Sequence, residues 1–121
     1  LDAATGQVLD TWTFDYTPER LAISPDDARL YVALLAQPHS SYWWEEDQYG
    51  FIAVLDLASG ALVTQYRIPT DPYDLVVNSA GKLVVSSGSG QWSEIYAFNA
   101  ATGAVLGKAF IRQQSRLALH P

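Results

Sequence analysis

The sequence predicts an all-β fold made of repeated four-stranded antiparallel sheets, and two internal repeats indicate it. One pattern ends in Ser/Thr-Gly and occurs at residues 1–6, 55–60 and 98–103. A second pattern contains a short apolar run and occurs at residues 20–25, 74–79 and 116–121. Gly60 follows Gly6 by 54 residues, and Gly103 follows Gly60 by 43. A period of roughly 40–50 residues is typical of a four-stranded propeller blade, and the longer spacing fits such a unit with an inserted loop.

Each complete repeat reads as four short strands. In the first repeat we expect strands at residues 20–24, 30–35, 51–57 and 61–68, and in the second at 73–78, 82–87, 94–99 and 104–110. Residues 30–35 are apolar almost throughout, which is typical of a strand buried on both faces. Residues 61–68 largely alternate between apolar and polar, as an outer strand half in water does.

The chain is therefore predicted to be a β-propeller fragment of about two and a half four-stranded antiparallel blades. Its predicted parts are the outer strand of a preceding blade (1–19), a full blade with a long insertion at 36–50 (20–68), a second full blade (69–111) and the first strand of the next blade (112–121). We expect the two full blades to stack through Leu21, Ile23, Val32, Leu34, Leu75, Val77, Val84 and Ile95. A β-sandwich also contains many short strands, but it does not predict this repeat.

The Ser/Thr-Gly pattern has a mechanical explanation. Its first polar residue is Asp2, Asp56 or Asn99, whose side chain accepts hydrogen bonds from backbone amides two residues on. The glycine supplies the positive φ that closes a short hairpin. We interpret these residues as turn chemistry and not as a functional site.

The first full repeat resembles a known family. Residues 18–33, Pro-Glu-Arg-Leu-Ala-Ile-Ser-Pro-Asp-Asp-Ala-Arg-Leu-Tyr-Val-Ala, resemble the YVTN-type propeller repeat, and residues 56–60 look like its closing hairpin. Asp27 stands where that repeat usually has a turn glycine, and Leu83-Val84-Val85-Ser86 stands where it has Tyr-Val. The resemblance implies an extracytoplasmic propeller, periplasmic or at the cell surface, of a bacterium or archaeon. The remaining blades would come from the same chain or from another one.

Composition excludes several functions. The chain carries 13 acidic and 7 basic residues, a net charge of −6, and this disfavours nucleic acids and anionic membranes as partners. It has no cysteine, so disulfides and thiolate metal sites are excluded. No apolar run approaches the roughly 18 residues of a membrane span. His39 and His120 have no ligand spacing, and we expect neither a metal site nor a cofactor.

An enzyme is the alternative function class. Quinoprotein blades also carry Asp-x-x-Thr-Gly, but they are recognised by a tryptophan four residues after the glycine. The corresponding residues are Asp10, Thr64 and Gly107. The chain also lacks a Gly-x-Ser-x-Gly nucleophile motif. The sequence therefore indicates no catalytic residue.

The candidate binding residues lie at one end of the predicted blades. Connections in an antiparallel meander emerge alternately at opposite ends, so the insertion at 36–50 shares its end with residues 88–93. Loops on a rigid scaffold are where binding residues concentrate. The candidates are Tyr42, Trp43, Trp44, Glu45, Glu46, Asp47 and Trp92.

Two alternatives to binding stay open for these residues. Trp43 and Trp44 are equally consistent with a hydrophobic seal that closes the insertion against the blade. The acids at 45–47 have oxygens for calcium, although their spacing is not that of a calcium loop, and solvated acids are the simpler interpretation.

The leading hypothesis is a non-enzymatic binding or scaffolding propeller segment of an exported bacterial protein. It would engage a protein or a glycan through its long-loop face. The alternative is a lactonase-like or quinoprotein-like propeller enzyme whose active groups lie in blades outside this chain.

Overall fold

The computed structural model of the chain describes residues 1–120, apart from the side chain of Glu45. It contains two antiparallel four-stranded sheets, each with its strands in chain order. Sheet 1 consists of β1 (Thr17–Ile23), β2 (Arg29–Leu35), β3 (Gly50–Asp56) and β4 (Leu62–Ile68). Sheet 2 consists of β5 (Pro72–Val77), β6 (Lys82–Ser87), β7 (Trp92–Asn99) and β8 (Val105–Arg112). The all-β class and the two four-stranded antiparallel sheets are thus confirmed.

All eight strands of the two complete repeats lie where the sequence predicts them. The largest difference is at β1, which begins at Thr17 instead of Arg20. Within residues 1–120 the helical content is one 3-10 turn, Glu45–Asp47, and no helix there is long and apolar enough to cross a membrane.

The predicted partial strands at the two ends are not formed in the described part of the chain. Residues 1–16 and 113–120 contain no strand, because neither segment pairs with a neighbouring strand there. Pro121, the last residue of the third copy of the apolar pattern, lies outside the described residues.

The turns follow the chemistry inferred from the sequence. Asp56 Oδ1 accepts a hydrogen bond at 2.9 Å from the amide two residues on, and Gly60 has a φ of 72°. Asp2 and Asn99 make the same contact in the other two copies. Asp27 has a φ of 58°, so this aspartate adopts the left-handed conformation in place of the expected glycine.

The two sheets pack face to face around one apolar cluster. Its buried members are Tyr31, Ala33, Ile52, Val54 and Ile68 from sheet 1, and Leu75, Val77, Leu83, Val85, Tyr96, Phe98 and Ala100 from sheet 2 and the turn after β7. Stacking of the two sheets was predicted, but of the eight predicted contact residues only Leu75 and Val77 belong to this cluster.

The predicted contact face was wrong for the other six residues: Leu21, Ile23, Val32, Leu34, Val84 and Ile95. Side chains alternate between the two faces of a strand, and Leu21, which pairs with Val32, lies on the face of sheet 1 that points away from sheet 2. Residues 30–35 are apolar on both faces, and the sequence of such a strand does not indicate which face meets the neighbouring sheet.

A second cluster covers the other face of sheet 1. In it, Val32, Leu34, Ala53 and Leu55 are buried, and Trp12, Phe14 and Tyr16 pack against them. Trp12 Nε1 donates a hydrogen bond to the carbonyl of Gly60 at 2.8 Å. Tyr66 of β4 donates one to the carbonyl of Ala100 at 2.9 Å. Trp12 and Tyr66 each follow a repeat glycine by six residues. Residues 7–16 therefore pack on sheet 1 in the way that β4 packs on sheet 2.

Candidate functional site

An open cleft lies between two loops at one end of the sheets. One is the connection from β2 to β3 (residues 36–49, the long loop), and the other is the connection from β6 to β7 (residues 88–91, the short loop). The cleft, called the aromatic cleft below, has a volume of about 610 Å³. Five of the seven predicted binding residues line it: Tyr42, Trp43, Trp44, Glu46 and Trp92.

Three of the aromatic side chains in the cleft are open to solvent. Tyr42 is 91% exposed, Trp44 72% and Trp92 68%, whereas Trp43 is partly buried. The alternative in which both loop tryptophans seal the insertion is therefore wrong for Trp44. Large aromatic side chains grouped in solvent are costly to hydrate, and such groups commonly mark interaction surfaces.

Two of the three predicted acidic residues have described side chains. Glu46 lines the cleft, Asp47 is exposed and lies outside its lining, and the side chain of Glu45 lies outside the described residues. In the described part of the chain, no three His, Cys, Asp or Glu side chains are grouped so as to hold a metal ion.

Hydrogen bonds of the Ser40 backbone hold the first part of the long loop to the short loop. The amide of Ser40 donates to Ser89 Oγ at 3.0 Å, and the amide of Gly90 donates to the carbonyl of Ser40 at 2.9 Å. Ser40 directly precedes the cleft residues 41–44. The wall of the cleft that carries Trp43 and Trp44 is therefore held close to the wall that carries Trp92.

A buried glutamine fixes the other end of the long loop. Gln48 is 5% exposed, and its Oε1 accepts a hydrogen bond from Ser87 Oγ at 2.5 Å. Its Nε2 donates to the carbonyl of Ser89 at 3.3 Å and to Ser93 Oγ at 3.4 Å. Hydrogen bonds near both ends of the long loop thus join it to residues 87–93. Buried polar networks specify one geometry when their members are satisfied.

Asp71, which directly precedes β5 of sheet 2, also belongs to this polar network. The residue is fully buried in the connection between β4 and β5, and its Oδ2 accepts hydrogen bonds from Ser89 Oγ and, at 2.6 Å, from His39 Nδ1. Its backbone carbonyl accepts one from Gly88 at 2.8 Å. Among the described residues Asp71 Oδ1 has no hydrogen-bond partner. One carboxylate therefore binds both loops that form the cleft.

His39 bridges two carboxylates. Its Nε2 lies 3.2 Å from Glu19 Oε1 in β1, while Nδ1 bonds Asp71. The hydrogen bond to Asp71 raises the pKa of His39 above its ordinary value, and Glu19 adds to this effect against the opposing effect of burial. A Cβ on Gly88 would overlap the imidazole ring, so glycine permits this close approach.

This polar network was not predicted from the sequence. In the sequence His39 is a histidine without ligand spacing, and residues 88–93 are a connection at the same end as the insertion. His39 lies 32 residues from Asp71 and 20 from Glu19, so no local motif joins them. Only the predicted topology could have brought these residues together, because all three fall in connections or strand ends at the same end of the predicted meander.

Comparison with known proteins adds no assignment. A scan against protein-family models gave no match, and a search of curated proteins found none with significant similarity.

Proposed function

We propose that the chain is part of a β-propeller and that it binds a neutral oligosaccharide in the aromatic cleft. The proposal commits to a glycan where the sequence left a glycan or a protein open. As the YVTN-type resemblance implies, we further propose that the protein acts outside the cytoplasm.

The propeller part of the proposal is supported by repeated packing. Trp12 and Tyr66 occupy equivalent places in the repeat, and each donates a hydrogen bond to a backbone carbonyl in the hairpin that closes the following repeat. Propeller blades are related in this way, since each blade covers its neighbour with the same face. A sandwich of two different sheets would not require such equivalence.

The binding part rests on one observation, namely that exposed indoles stand on both sides of a cleft with a buried polar network at its base. Trp44 comes from the long loop, and Trp92 is the first residue of β7, directly after the short loop. The apolar C–H face of a sugar ring stacks on an aromatic plane, while its hydroxyls need hydrogen-bond partners. Glu46 and Gln91 in the lining offer a carboxylate and an amide for those hydroxyls.

Size and charge favour a small neutral ligand. The volume of about 610 Å³ lies within the range of roughly 300–1,000 Å³ that is usual for small-ligand sites. A stable protein interface needs about 800 Å² from each partner, which is a broader surface than a cleft between two loops. The net charge of −6 disfavours acidic sugars.

His39, the histidine of the polar network, does not support the enzyme alternative. A general base needs a free ring nitrogen within reach of substrate. Both nitrogens of His39 are engaged by carboxylates, at 2.6 Å and 3.2 Å. This arrangement is that of an ion-pair bridge.

The test is binding to an array of neutral and acidic oligosaccharides, followed by calorimetry on each neutral glycan that binds. Trp44→Ala and Trp92→Ala should each weaken binding by about thirtyfold, since a hot-spot aromatic contributes about 2 kcal/mol or more. Because both side chains are exposed, the free energy of unfolding should change by less than about 0.5 kcal/mol.

A matched control is Phe110→Ala, which removes an aromatic side chain that is 65% exposed but lies on β8, away from the cleft lining. It should leave glycan binding unchanged. An empty array, or glycan binding that survives both tryptophan replacements, would refute the proposed function. Capture of a protein partner that requires Trp44 and Trp92 would replace the glycan by a protein.

A further inference from the structure

We propose that His39 is the positioning residue of the aromatic cleft, and that loss of its bridge between Asp71 and Glu19 loosens the wall carrying Trp43 and Trp44. The inference rests on the proposed function for its biological meaning. Its geometric basis is independent of any ligand.

Only the protonated ring makes both contacts. An imidazolium has two N–H donors, whereas a neutral imidazole has one donor and one acceptor. Asp71 and Glu19 each offer a carboxylate oxygen, at 2.6 Å and 3.2 Å from the two ring nitrogens. A neutral ring would therefore place a lone pair against one of the carboxylates.

Burial decides which contact is lost. The side chain of Asp71 is 1% exposed and has little access to water, whereas that of Glu19 is 26% exposed and can be hydrated. A neutral His39 therefore keeps its N–H on Asp71 and releases Glu19. The long loop then loses its tie to β1.

The change reaches the cleft through Ser40. This residue follows His39 directly and holds Ser89 and Gly90 of the short loop through its backbone. The next residues, 41–44, form one wall of the cleft. A shift of His39 therefore changes the spacing between Trp44 and Trp92 without breaking any contact inside the cleft.

The charged groups around His39 set the direction of the effect. β1 contributes Glu19, the connection before β5 contributes Asp71, and β5 contributes Tyr73, whose ring lies edge-on at 5.8 Å. Arg20 and Arg116 lie over the Tyr73 ring, at 5.8 Å and 4.8 Å from its centroid, whereas the hydrogen-bond partners of the imidazole are the two carboxylates. The two carboxylates bond the ring directly, so their influence is larger.

The resulting pH dependence has a definite sign. The pKa of His39 is raised above 6.5, chiefly by the hydrogen bond to Asp71. The bridge is therefore complete below that ordinary value and is lost as the pH rises through the raised pKa. The cleft should be tight in mildly acidic solution and looser in alkaline solution.

The experiment is fluorine NMR of the whole chain labelled with 5-fluorotryptophan, titrated from about pH 5.5 to about pH 9. The resonances of Trp43 and Trp44 should follow a transition with a midpoint above 6.5, the ordinary value for histidine. Trp12, which bonds Gly60 at the opposite end of the sheets, is an internal control and should not follow it.

Three variants make the assignment specific. His39→Gln should abolish the transition, because glutamine does not titrate. Glu19→Gln is a milder change at a partly exposed site, and it should lower the midpoint by removing one of the two carboxylates. His120→Gln changes the other histidine of the chain and should leave the transition as it is.

The outcomes separate the two proposals. A pH-independent cleft, or a transition that persists in His39→Gln with an unchanged midpoint, would refute the role of His39, whatever the glycan array shows. A His39-dependent transition supports the inference even if no glycan binds, and in that case the proposed function alone fails. If both hold, glycan affinity should fall about fivefold or more above the midpoint in the parent chain, and not in His39→Gln.

Discussion

Strands β1 and β5 occupy equivalent places in the two sheets, yet their apolar side chains have opposite environments. Leu21 and Ile23 of β1 are 62% and 54% exposed, whereas Leu75 and Val77 of β5 are 3% and 2% exposed. The repeat aligns the first pair with the second residue by residue. The difference therefore comes from what covers the strand, since sheet 1 covers β5.

A similar difference in burial is found on the reverse face of each sheet, the face that carries Ile52 in sheet 1 and Ile95 in sheet 2. Ile52 of β3 is fully buried against sheet 2, whereas the equivalent residue of β7, Ile95, is only partly buried. The positions that would meet a further sheet on either side, Leu21 and Ile23 in sheet 1 and Ile95 in sheet 2, are thus less covered than their equivalents between the sheets. This arrangement is expected when a repeated unit stacks in one direction, and it underlies our proposal that further sheets of the same kind continue the stack.

The sharpest test of the contrast between β1 and β5 is a pair of leucine replacements. Leu75→Ala should lower the free energy of unfolding by about 3 kcal/mol, because it empties a buried position between the sheets. Leu21→Ala should lower it by less than about 0.5 kcal/mol, because that side chain is already largely in water. Urea unfolding of both variants measures the two values. Equal losses would mean that β1 is covered in solution, and sedimentation would then reveal association between chains.

A second pair of variants compares equivalent residues at the starts of β5 and β1, at the end of the sheets where the polar network lies. Asp71 and Thr17 each lie three residues before the aligned pair Asp74 and Arg20, but Asp71 is fully buried and Thr17 is exposed. Asp71→Asn leaves Ser89 and His39 without their shared carboxylate and should lower the free energy of unfolding by about 1–3 kcal/mol. Thr17→Ala should be nearly neutral. Similar values for both would show that the polar network contributes little to stability.

The strands could be predicted because their signals are local. Turn residues such as Asp56 and Gly60 fix the hairpins, and the alternation in residues 61–68 marks an outer strand. The packing faces could not be predicted for β2, because Val32 and Ala33 are both buried and their apolar character is the same on either face. Only the neighbouring sheet distinguishes them.

For the candidate site, too, some features could be predicted from the sequence and others could not. The aromatic residues of the long loop could be selected as candidates, because a long insertion with tryptophans stands out in a repeat of tight turns, but their exposure could not be predicted. The bridge of His39 to Asp71 and Glu19 could not be derived from sequence spacing. It depends on the side-chain positions of three separate connections or strand ends, which only the packed sheets bring within hydrogen-bond distance.

The smallest expected effect tests whether residues 7–16 dock on sheet 1 as β4 docks on sheet 2. Trp12→Phe and Tyr66→Phe each remove one hydrogen bond to a backbone carbonyl, at 2.8 Å and 2.9 Å. Each should lower the free energy of unfolding by roughly 1 kcal/mol, with a small further packing loss for the indole. Tyr42→Phe changes a side chain that is 91% exposed and serves as the neutral control. A loss for Tyr66→Phe with none for Trp12→Phe would mean that residues 7–16 are not held on sheet 1, and the equivalence between the two packed segments would fail with it.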